Sequence, residues 1–213
     1  MRNYFDKQLN ELNGGLITMG HMIEQAIEFA IEAIVHHDVE KAKSNVEYDD
    51  EIDHQMRDIE GLCMKLLMKQ QPVASDLRLV SSALRMVADM ERIGDHAADI
   101  SEISIYLSEA QDLPEMEVIK KMAAESMVMV VDAIQAFVNR DIELAEEVSR
   151  KDDKMDALFL EAKQTLIRLI QEKSAYTEVA SDLLLVAKYF ERIGDHAENI
   201  ANWVIFTISG ERR

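Results

Sequence analysis

The chain has 213 residues, which is enough for one large domain or two small ones. Hydrophobic residues make up 48% and aromatic residues only 6%, while methionine is frequent at 13, a mixture typical of helices packed through aliphatic side chains. The 41 acidic and 23 basic residues give a formal net charge of −18, which disfavours binding to nucleic-acid phosphates or to anionic lipid.

Apolar residues recur every three or four positions from end to end, which predicts helices and no strand. The first helix is expected to include Leu9 and to end at a break formed by residues 36–38, where Asp38 would cap the second helix. The second helix should end before Pro72, and the third should follow that proline and end at residues 112–114.

The second half of the chain repeats this plan. A fourth helix is predicted over 122–137, a break at 139–141, a fifth helix over 142–172, and a sixth helix from the turn at 173–174 to Gly210. Helices of about 25 to 38 residues are roughly 40 to 55 Å long. The predicted fold is all-α, with two antiparallel three-helix bundles, residues 1–111 and 112–213, packed side by side as a tandem repeat.

The duplication is visible in the residues themselves. Residues 91–97, with the sequence Glu-Arg-Ile-Gly-Asp-His-Ala, recur without change as residues 191–197. Further upstream, residues 49–53 and 152–156 share the pattern Asp-Asp-x-x-Asp. An unbroken identity at equivalent positions of two helices indicates an internal repeat rather than chance similarity.

Each copy contains two pairs of carboxylates spaced four residues apart, and each pair therefore lies on one helix face. The four pairs are Asp49 with Asp53, Glu91 with Asp95, Asp152 with Asp156, and Glu191 with Asp195. The pairs continue apolar stripes, since Leu77, Leu84 and Glu91 are seven residues apart. A charge on a packing seam is unfavourable unless something compensates it.

The two pairs of each copy are expected to meet. Asp53 precedes Pro72 by about 19 residues and Glu91 follows it by about 19, which places both at one height of an antiparallel helix pair. Carboxylates at one level repel each other, and bound cations are the simplest compensation. Oxygen ligands favour hard ions such as Mg²⁺, Mn²⁺ or iron. Neutralisation by Arg92 and Arg192, or a solvated acidic face, is the alternative.

Other polar residues of the repeated motif are candidates for secondary roles. Asp99 is predicted to extend the first site by one turn, whereas Asn199 occupies that position in the second copy, so the two sites are expected to differ. Asp50 and Asp153 point partly elsewhere and are weaker metal candidates.

The histidines and glycines of the motif have two interpretations each. His96 and His196 are either ligands or hydrogen-bonding residues between helices. Gly94 and Gly194 lie inside long helices, where glycine costs about 1 kcal/mol relative to alanine, which indicates a close approach of two helices more than a hinge.

The remaining features concern the location of the protein. Cys63 is the only cysteine, so no internal disulfide can form and a buried filler is the favoured role. Residues 1–12 are polar and lack the apolar run of a signal peptide. No stretch is expected to be long enough to cross a membrane, because even residues 128–138 include Asp132. Together these features predict a cytoplasmic protein without membrane insertion.

The doubled heptapeptide, preceded in each copy by an Asp-x-x-x-Asp helix, resembles the PhoU family over essentially the whole chain. The resemblance implies two adjacent three-helix bundles that hold iron clusters or other divalent ions (Fe, Mn, Mg or Zn) on the paired carboxylates. It also implies a cytoplasmic negative regulator of phosphate uptake and of the phosphate-starvation response. Such a regulator would connect the phosphate ABC transporter, through its ATPase subunit, with a sensor histidine kinase, and it would commonly form a homodimer.

Two other functions stay open at this point. A carboxylate-bridged di-metal oxidase needs a Glu-x-x-His pair on each of two helices. Glu51 with His54 is the only such pair, and Ala157 replaces the histidine in the second copy. A metal-free helical scaffold is the other alternative. No nucleophile arrangement, phosphate-binding glycine loop or basic groove stands out, so no enzymatic activity is predicted.

Overall fold

The structure is a computed structural model that describes residues 2–69, 74–108 and 117–211. Six α-helices fill these ranges: α1 (Arg2–His36), α2 (Val39–Lys69), α3 (Ala74–Leu107), α4 (Glu117–Asn139), α5 (Ile142–Glu172) and α6 (Thr177–Ser209). A 3₁₀ turn, Ser174–Tyr176, precedes α6, and the described ranges contain no strand. The all-α prediction is therefore confirmed. The expected helix ends near Pro72 and at 112–114, and the boundary between residues 111 and 112, lie outside the described residues.

The turns before α2 and α5 are built alike. His37 and Arg140 both have a φ of 53°, which interrupts the helix at the corresponding place in each copy. The next residue, Asp38 or Asp141, accepts a hydrogen bond of 3.0 Å on its side chain from the backbone N–H three residues later. Such N-caps typically stabilise a helix by about 1 kcal/mol. The two predicted breaks are confirmed, and the caps explain their position.

The helices form two layers. α2, α3, α6 and α5 lie side by side in that order, since α3 packs against both α2 and α6, and α5 packs against α6. α1 covers α2 and α3, α4 covers α5 and α6, and α1 and α4 also touch each other. The core lies between the layers and includes the fully buried Met86, Met90 and Phe190. Opposite α1 and α4, the broad layer keeps a second face on which polar side chains can gather.

The contact between α3 and α6 joins the two copies, and it runs antiparallel. Near the start of α3, Arg78 lies against Gly210, which ends α6 in a left-handed conformation with a φ of 79°. Further along, the ring of His96 packs against that of Tyr189 with 5.3 Å between centroids. The corresponding motifs of the two copies therefore face each other across this contact.

One expectation about membranes was too simple. α4 is long and apolar enough to cross a membrane by length and composition, with a window of mean hydropathy 1.2. Asp132 interrupts the apolar stretch of this helix, but a window with so few charged residues still has the composition of a membrane span. Half of this window is buried inside the bundle, and core helices of globular proteins share this composition.

The expectation for Cys63 is confirmed, because its side chain is fully buried and burial raises the pKa of its thiol to about 12.

Candidate metal centres at the paired carboxylates

The first carboxylate set combines two residues of α2 with two of α3: Asp49, Asp53, Glu91 and Asp95. The two helices approach closely at this level. A Cβ atom on Gly94 would lie 3.1 Å from Ile52 and 3.2 Å from Oδ1 of Asp49, which is tighter than nine in ten real Cβ contacts. The close approach predicted at Gly94 is confirmed, and it brings the backbone of α3 directly onto the Asp49 carboxylate.

Asp49 has the least favourable environment for a charged carboxylate in this set. Burial raises the pKa of its carboxyl to about 6, and the charges of Asp95, Asp53 and Glu91 act in the same direction. Its Oδ1 atom is buried and has no hydrogen-bond partner among the described residues. An unsatisfied buried polar atom typically costs about 1 to 3 kcal/mol. An oxygen in this position fits a hard cation, which would supply the missing interaction.

Arginines neutralise the outer members of the first set. Arg57 contacts Asp53 at 2.8 Å, and Arg92 contacts Asp95 at 2.9 Å and Glu91 at 3.5 Å. The pKa of Glu91 is nevertheless raised, chiefly by burial and by the charge of Asp95, with Arg92 opposing the shift. Both arginines are exposed, so their attraction is weakened by solvent. The arginines therefore partly neutralise Asp53, Glu91 and Asp95, whereas Asp49 forms no ion pair with a described residue.

The second set repeats this geometry between α5 and α6. It contains Asp152, Asp156, Glu191 and Asp195, and a Cβ atom on Gly194 would lie 3.1 Å from Met155 and 3.6 Å from Oδ1 of Asp152. This Oδ1 atom is again buried without a hydrogen-bond partner in the described part of the chain. The pKa of Asp195 is raised by burial and by the charge of Glu191. The structure thus brings together the four residues predicted for this site.

Glu198 belongs to the second set and was missed from the sequence. Burial raises the pKa of Asp152 to about 7, and Glu198 contributes the largest of the charge effects on it. Glu198 follows Glu191 by seven residues and therefore lies on the same face of α6. Residues shared by the two copies do not include it, because Ala98 occupies the corresponding position in the first copy. The seven-residue spacing from Glu191 could have predicted that Glu198 joins the set.

The apolar stripe on which the carboxylates were placed is less buried than expected. Leu77 is 49% exposed, Leu84 is half-buried, and the Glu91 side chain retains 20% of its exposure. The buried face of α3 runs alongside, through residues such as Val80 and Val87. In the first copy, the acidic residues therefore lie at the border of the core, where burying their charge costs less free energy than it would at the centre.

The side chains as they stand do not surround an ion. Within the ranges that the structure describes, no three His, Cys, Asp or Glu side chains form a ligand set for a metal. Asp53 and Asp95 are turned to arginines, and Glu191 pairs with Lys188. The donor type and the orphaned oxygens fit a cation, but these side chains would have to leave their present partners to bind one.

The histidines of the motif lie in the contact between the copies. Their rings pack against each other with 5.6 Å between centroids. Nδ1 of His196 lies 2.9 Å from Oδ1 of Asp89 in α3. His96 is buried, and burial lowers the pKa of its imidazole. This geometry favours the interpretation as hydrogen-bonding residues between helices.

The remaining candidates are Asp99 and the acidic neighbours Asp50 and Asp153. Asp99 lies 3.4 Å from Nδ1 of His96, one turn away on the same helix, and after burial its charge raises the pKa of Tyr189 in α6. It is not among the charges that act on Asp49, so a role as a ligand of the first site stays a prediction. Asp50 and Asp153 are exposed.

The pair considered for an oxidase is solvent-exposed. Glu51 and His54 both lie on the exposed surface of α2, and the nearest polar partner of His54 is the backbone carbonyl of Asp50. The position of the pair gives the di-metal oxidase no support.

Comparison with known proteins identifies the family. The family model of the PhoU domain matches residues 16–104 and again residues 119–204. The chain belongs to the PhoU family. The two matches also show that the PhoU domain occurs twice in tandem, as the repeated heptapeptide indicated.

Relatives of the PhoU family match over nearly the full length. A protein of Clostridium acetobutylicum named "Phosphate-specific transport system accessory protein PhoU homolog" is 33% identical over 99% of this chain and 97% of the relative. A protein of the same name from Pseudomonas aeruginosa is 32% identical over 97% of this chain and 86% of the relative.

Solved PhoU structures share the fold. The crystal structure of PhoU from Pseudomonas aeruginosa has a TM-score of 0.93 at 32% identity, covering 97% of this chain and 100% of that chain. The structure of the phosphate transport system regulatory protein PhoU from Streptococcus pneumoniae has a TM-score of 0.92 at 28% identity, covering 98% and 99%. The predicted tandem of three-helix bundles is therefore confirmed.

Proposed function

We propose that this PhoU-family protein is a cytoplasmic regulator that restrains phosphate uptake and the phosphate-starvation response, without catalytic turnover. The observation that carries the proposal is the full-length match to relatives named phosphate-specific transport system accessory proteins. We further propose that it acts as an adaptor between the phosphate ABC transporter, through its ATPase subunit, and a sensor histidine kinase. Long helices offer extended surfaces for two partners, and the charge of −18 suits basic partner surfaces.

A deletion strain tests the regulatory role. Without the gene, phosphate uptake and a starvation-responsive promoter are expected to stay high in phosphate-rich medium, and a plasmid copy should restore both to low values. Uptake of labelled phosphate and a reporter fusion measure the two effects. Unchanged uptake and unchanged promoter activity in the deletion strain would contradict the proposal.

Affinity purification tests the adaptor role separately. Tagged protein from phosphate-replete cells should retain the ATPase subunit, the kinase, or both, and the yield should fall as salt is raised, because charge complementarity is screened by ions. Recovery of neither protein at low salt would remove the adaptor while leaving the regulatory role standing.

The paired carboxylates support a second element of the proposal, namely cation binding. Fe, Mn, Mg or Zn ions, singly or in clusters, would be held by the two sets, with Asp49 and Asp152 at their buried ends. A bound ion supplies positive charge that neutralises the set and ties α2 to α3 and α5 to α6. The orphaned oxygen of each of these aspartates is the supporting observation.

Elemental analysis of protein purified without added metal tests this element. The double variant Asp49→Asn with Asp152→Asn should lose metal, whereas Asp50→Asn with Asp153→Asn, which changes the exposed neighbours, should retain it. Equal metal content in both variants would contradict binding at these sets. Absence of metal from all three proteins, together with no uptake on dialysis against Mn²⁺, would favour a metal-free scaffold.

A metal-free helical scaffold is the second candidate function, because several carboxylates of the two sets already form ion pairs. Arg57, Arg92 and Lys188 each contact a carboxylate of one of the two sets. Full neutralisation by these residues would remove the need for cations. The two orphaned oxygens favour the metal-binding alternative.

A further inference from the structure

The solvent-facing side of α4 is apolar. Its residues recur every three or four positions and form one stripe, here called the α4 stripe: Ala124, Met127, Val128, Val131, Gln135 and Val138. All of them are exposed or half-buried, Val128 is 45% exposed, and Gln135 is the only polar member. The core accounts for the buried half of this apolar helix, but it does not account for an apolar half that faces solvent.

The internal duplication supplies a comparison within the molecule. α1 is the counterpart of α4, since the equivalent turn residues His37 and Arg140 are 103 positions apart. The same offset gives the counterparts of the α4 stripe: His21, Glu24, Gln25, Glu28, Glu32 and Val35. Five of these six residues are polar, as expected of a solvated helix face. α4 occupies the equivalent place in the fold with an apolar surface, which indicates a face that a partner covers.

A groove runs beside the α4 stripe, between α4 and α1. Its volume is about 200 Å³. The two helices approach closely along it, because a Cβ atom on Gly20 would lie 2.8 Å from Cδ1 of Ile134. Ile17 of α1, which is 39% exposed, lines the groove together with Val131 and Val138 of α4. The groove can therefore accept a few apolar side chains from a helix that lies along it.

The α1 side of the groove is acidic. Glu24 lines the groove, and its partner is His21 at 3.4 Å. Glu28 follows one turn later, is exposed, and forms no ion pair with a described residue. Residues 17–28 contain no lysine or arginine. This side of the groove therefore attracts a basic partner.

The α4 side does not offset this charge. Residues 124–138 also contain no lysine or arginine. Their two acidic residues, Glu125 and Asp132, pair with lysines of α5 and so add little net charge. The nearest basic residues of the chain before and after this range are Lys121 and Arg140. The surface is therefore apolar along α4 and negative along α1.

We propose that the α4 stripe and the adjoining groove bind an amphipathic helix of a partner protein, with its apolar side on α4 and its lysines or arginines facing Glu24 and Glu28. The stripe is about 21 Å long, which matches a helix of about 14 residues. The acidic side disfavours an anionic membrane as the occupant. It also disfavours a second copy of the chain, because a symmetric contact would bring two acidic patches together.

This inference deepens the adaptor role proposed above and rests on it for its biological use. Its test uses purified protein and synthetic peptides. A failure would therefore remove this surface, whereas the measurements on cells decide the adaptor and regulatory roles separately.

Fluorescence anisotropy with labelled peptides tests the proposal on the full-length protein. The probe is a helical peptide of about 18 residues with leucines on one side and lysines on the other. One control peptide keeps the leucines but has glutamates instead of lysines, and the other has the leucine–lysine composition in scrambled order. The probe should bind about tenfold more tightly than either control, because it alone matches both the apolar stripe and the acidic side.

Variants of the α4 stripe locate the binding surface. The double variant Val128→Gln with Val131→Gln removes apolar surface without changing the charge, and Gln25 already occupies the position equivalent to Val128. It should weaken binding of the probe about tenfold to a hundredfold. Leu160→Gln, at a leucine of α5 that is 53% exposed, is the control and should leave the affinity unchanged.

A second pair of variants tests the acidic side. Glu28→Gln should weaken binding of the probe about twofold to fivefold, because it removes one exposed charge that faces the lysines. Glu102→Gln makes the same change of charge at an exposed position of α3, in the other layer, and should have no effect.

Four results would overturn the proposal. Equal binding of the probe and either control peptide would remove the match to an amphipathic basic helix. Unchanged affinity in the double variant would place the peptide elsewhere. Sedimentation of a dimer that the double variant dissociates would assign the surface to a second copy. Binding to phosphatidylcholine vesicles that the double variant abolishes would assign it to a membrane.

Discussion

The substitution Asp152→Asn tests whether the second carboxylate set is destabilising without a cation. Burial, followed by the charges of Glu198 and Asp195, raises the pKa of Asp152 from 3.8 to about 7. A pH unit corresponds to about 1.36 kcal/mol, so a fully enclosed carboxyl shifted this far would cost about 4 kcal/mol. Because Asp152 is partly exposed, solvent screening reduces this to about 1 to 2 kcal/mol.

The sign follows from proton uptake. The folded protein protonates Asp152 at a higher pH than the unfolded chain does, so the charged form opposes folding above about pH 7, and this cost disappears as the pH falls towards 4. Chelator-treated Asp152→Asn should therefore be more stable than the unmodified protein at about pH 8, with a melting temperature higher by roughly 2 to 8 °C. The two proteins should converge only as the pH approaches about 4.

Thermal unfolding followed by circular dichroism measures this effect, and added Mn²⁺ should reverse the order. An ion at a hundred times its Kd stabilises the folded state by about 2.7 kcal/mol, and the asparagine variant should gain less. Asp153→Asn, at an exposed position one residue along α5, is the control and should change stability by less than about 0.5 kcal/mol. If Asp152→Asn melted below the unmodified protein at pH 8 in chelator, the reasoning from burial and repulsion would be refuted.

Three further predictions concern the helices. In urea unfolding, Gly61→Ala should stabilise the protein by up to about 1 kcal/mol, because an added Cβ would meet nothing within 4 Å. Gly94→Ala should instead destabilise it by about 1 to 3 kcal/mol, because the added Cβ would press against Ile52. Similar effects of both substitutions would contradict the close approach. Cys63 should react with a thiol reagent only as the protein unfolds, since its thiol is buried and its pKa is raised to about 12; rapid labelling of the native protein would contradict this. Asp141→Ala should lower the free energy of unfolding by about 1 kcal/mol, and no change would show that the cap is dispensable.

Much of the fold followed from local sequence signals. The bounds of α5 were predicted as residues 142–172 and are observed as such, because Asp141 caps its start and a turn follows its end. The start of α4 was placed five residues late, at Met122 instead of Glu117. Glu117, Lys120 and Lys121 of its first turns are polar and exposed, which hid the helix start, although the buried Ile119 already belongs to the apolar period.

The sequence predicted those parts of the candidate site that depend on a single antiparallel helix pair, namely which carboxylates lie at the same height. Counting from the turn placed Asp49 opposite Asp95, and Asp95 is indeed the strongest charge acting on Asp49. The effect of Asp99 on Tyr189 could not be predicted in this way. It depends on the contact between α3 and α6, which joins separate copies, and the periodicity of a single helix does not specify such a contact.

The divergence of the two copies also sets an order of cation binding. The second set contains Glu198, where the first copy has Ala98, and the pKa of Asp152 is raised to about 7 against about 6 for Asp49. The additional carboxylate makes the potential in the second set more negative, which attracts cations more strongly.

In a Mn²⁺ titration followed by calorimetry, the tighter phase should therefore belong to the second set. Asp152→Asn should remove the tighter phase and Asp49→Asn the weaker one. Glu198→Ala, which restores the residue of the first copy, should bring the two affinities together. If Asp49→Asn removed the tighter phase instead, the local balance of carboxylates would not be what decides cation affinity, because the set with fewer acidic groups would bind first.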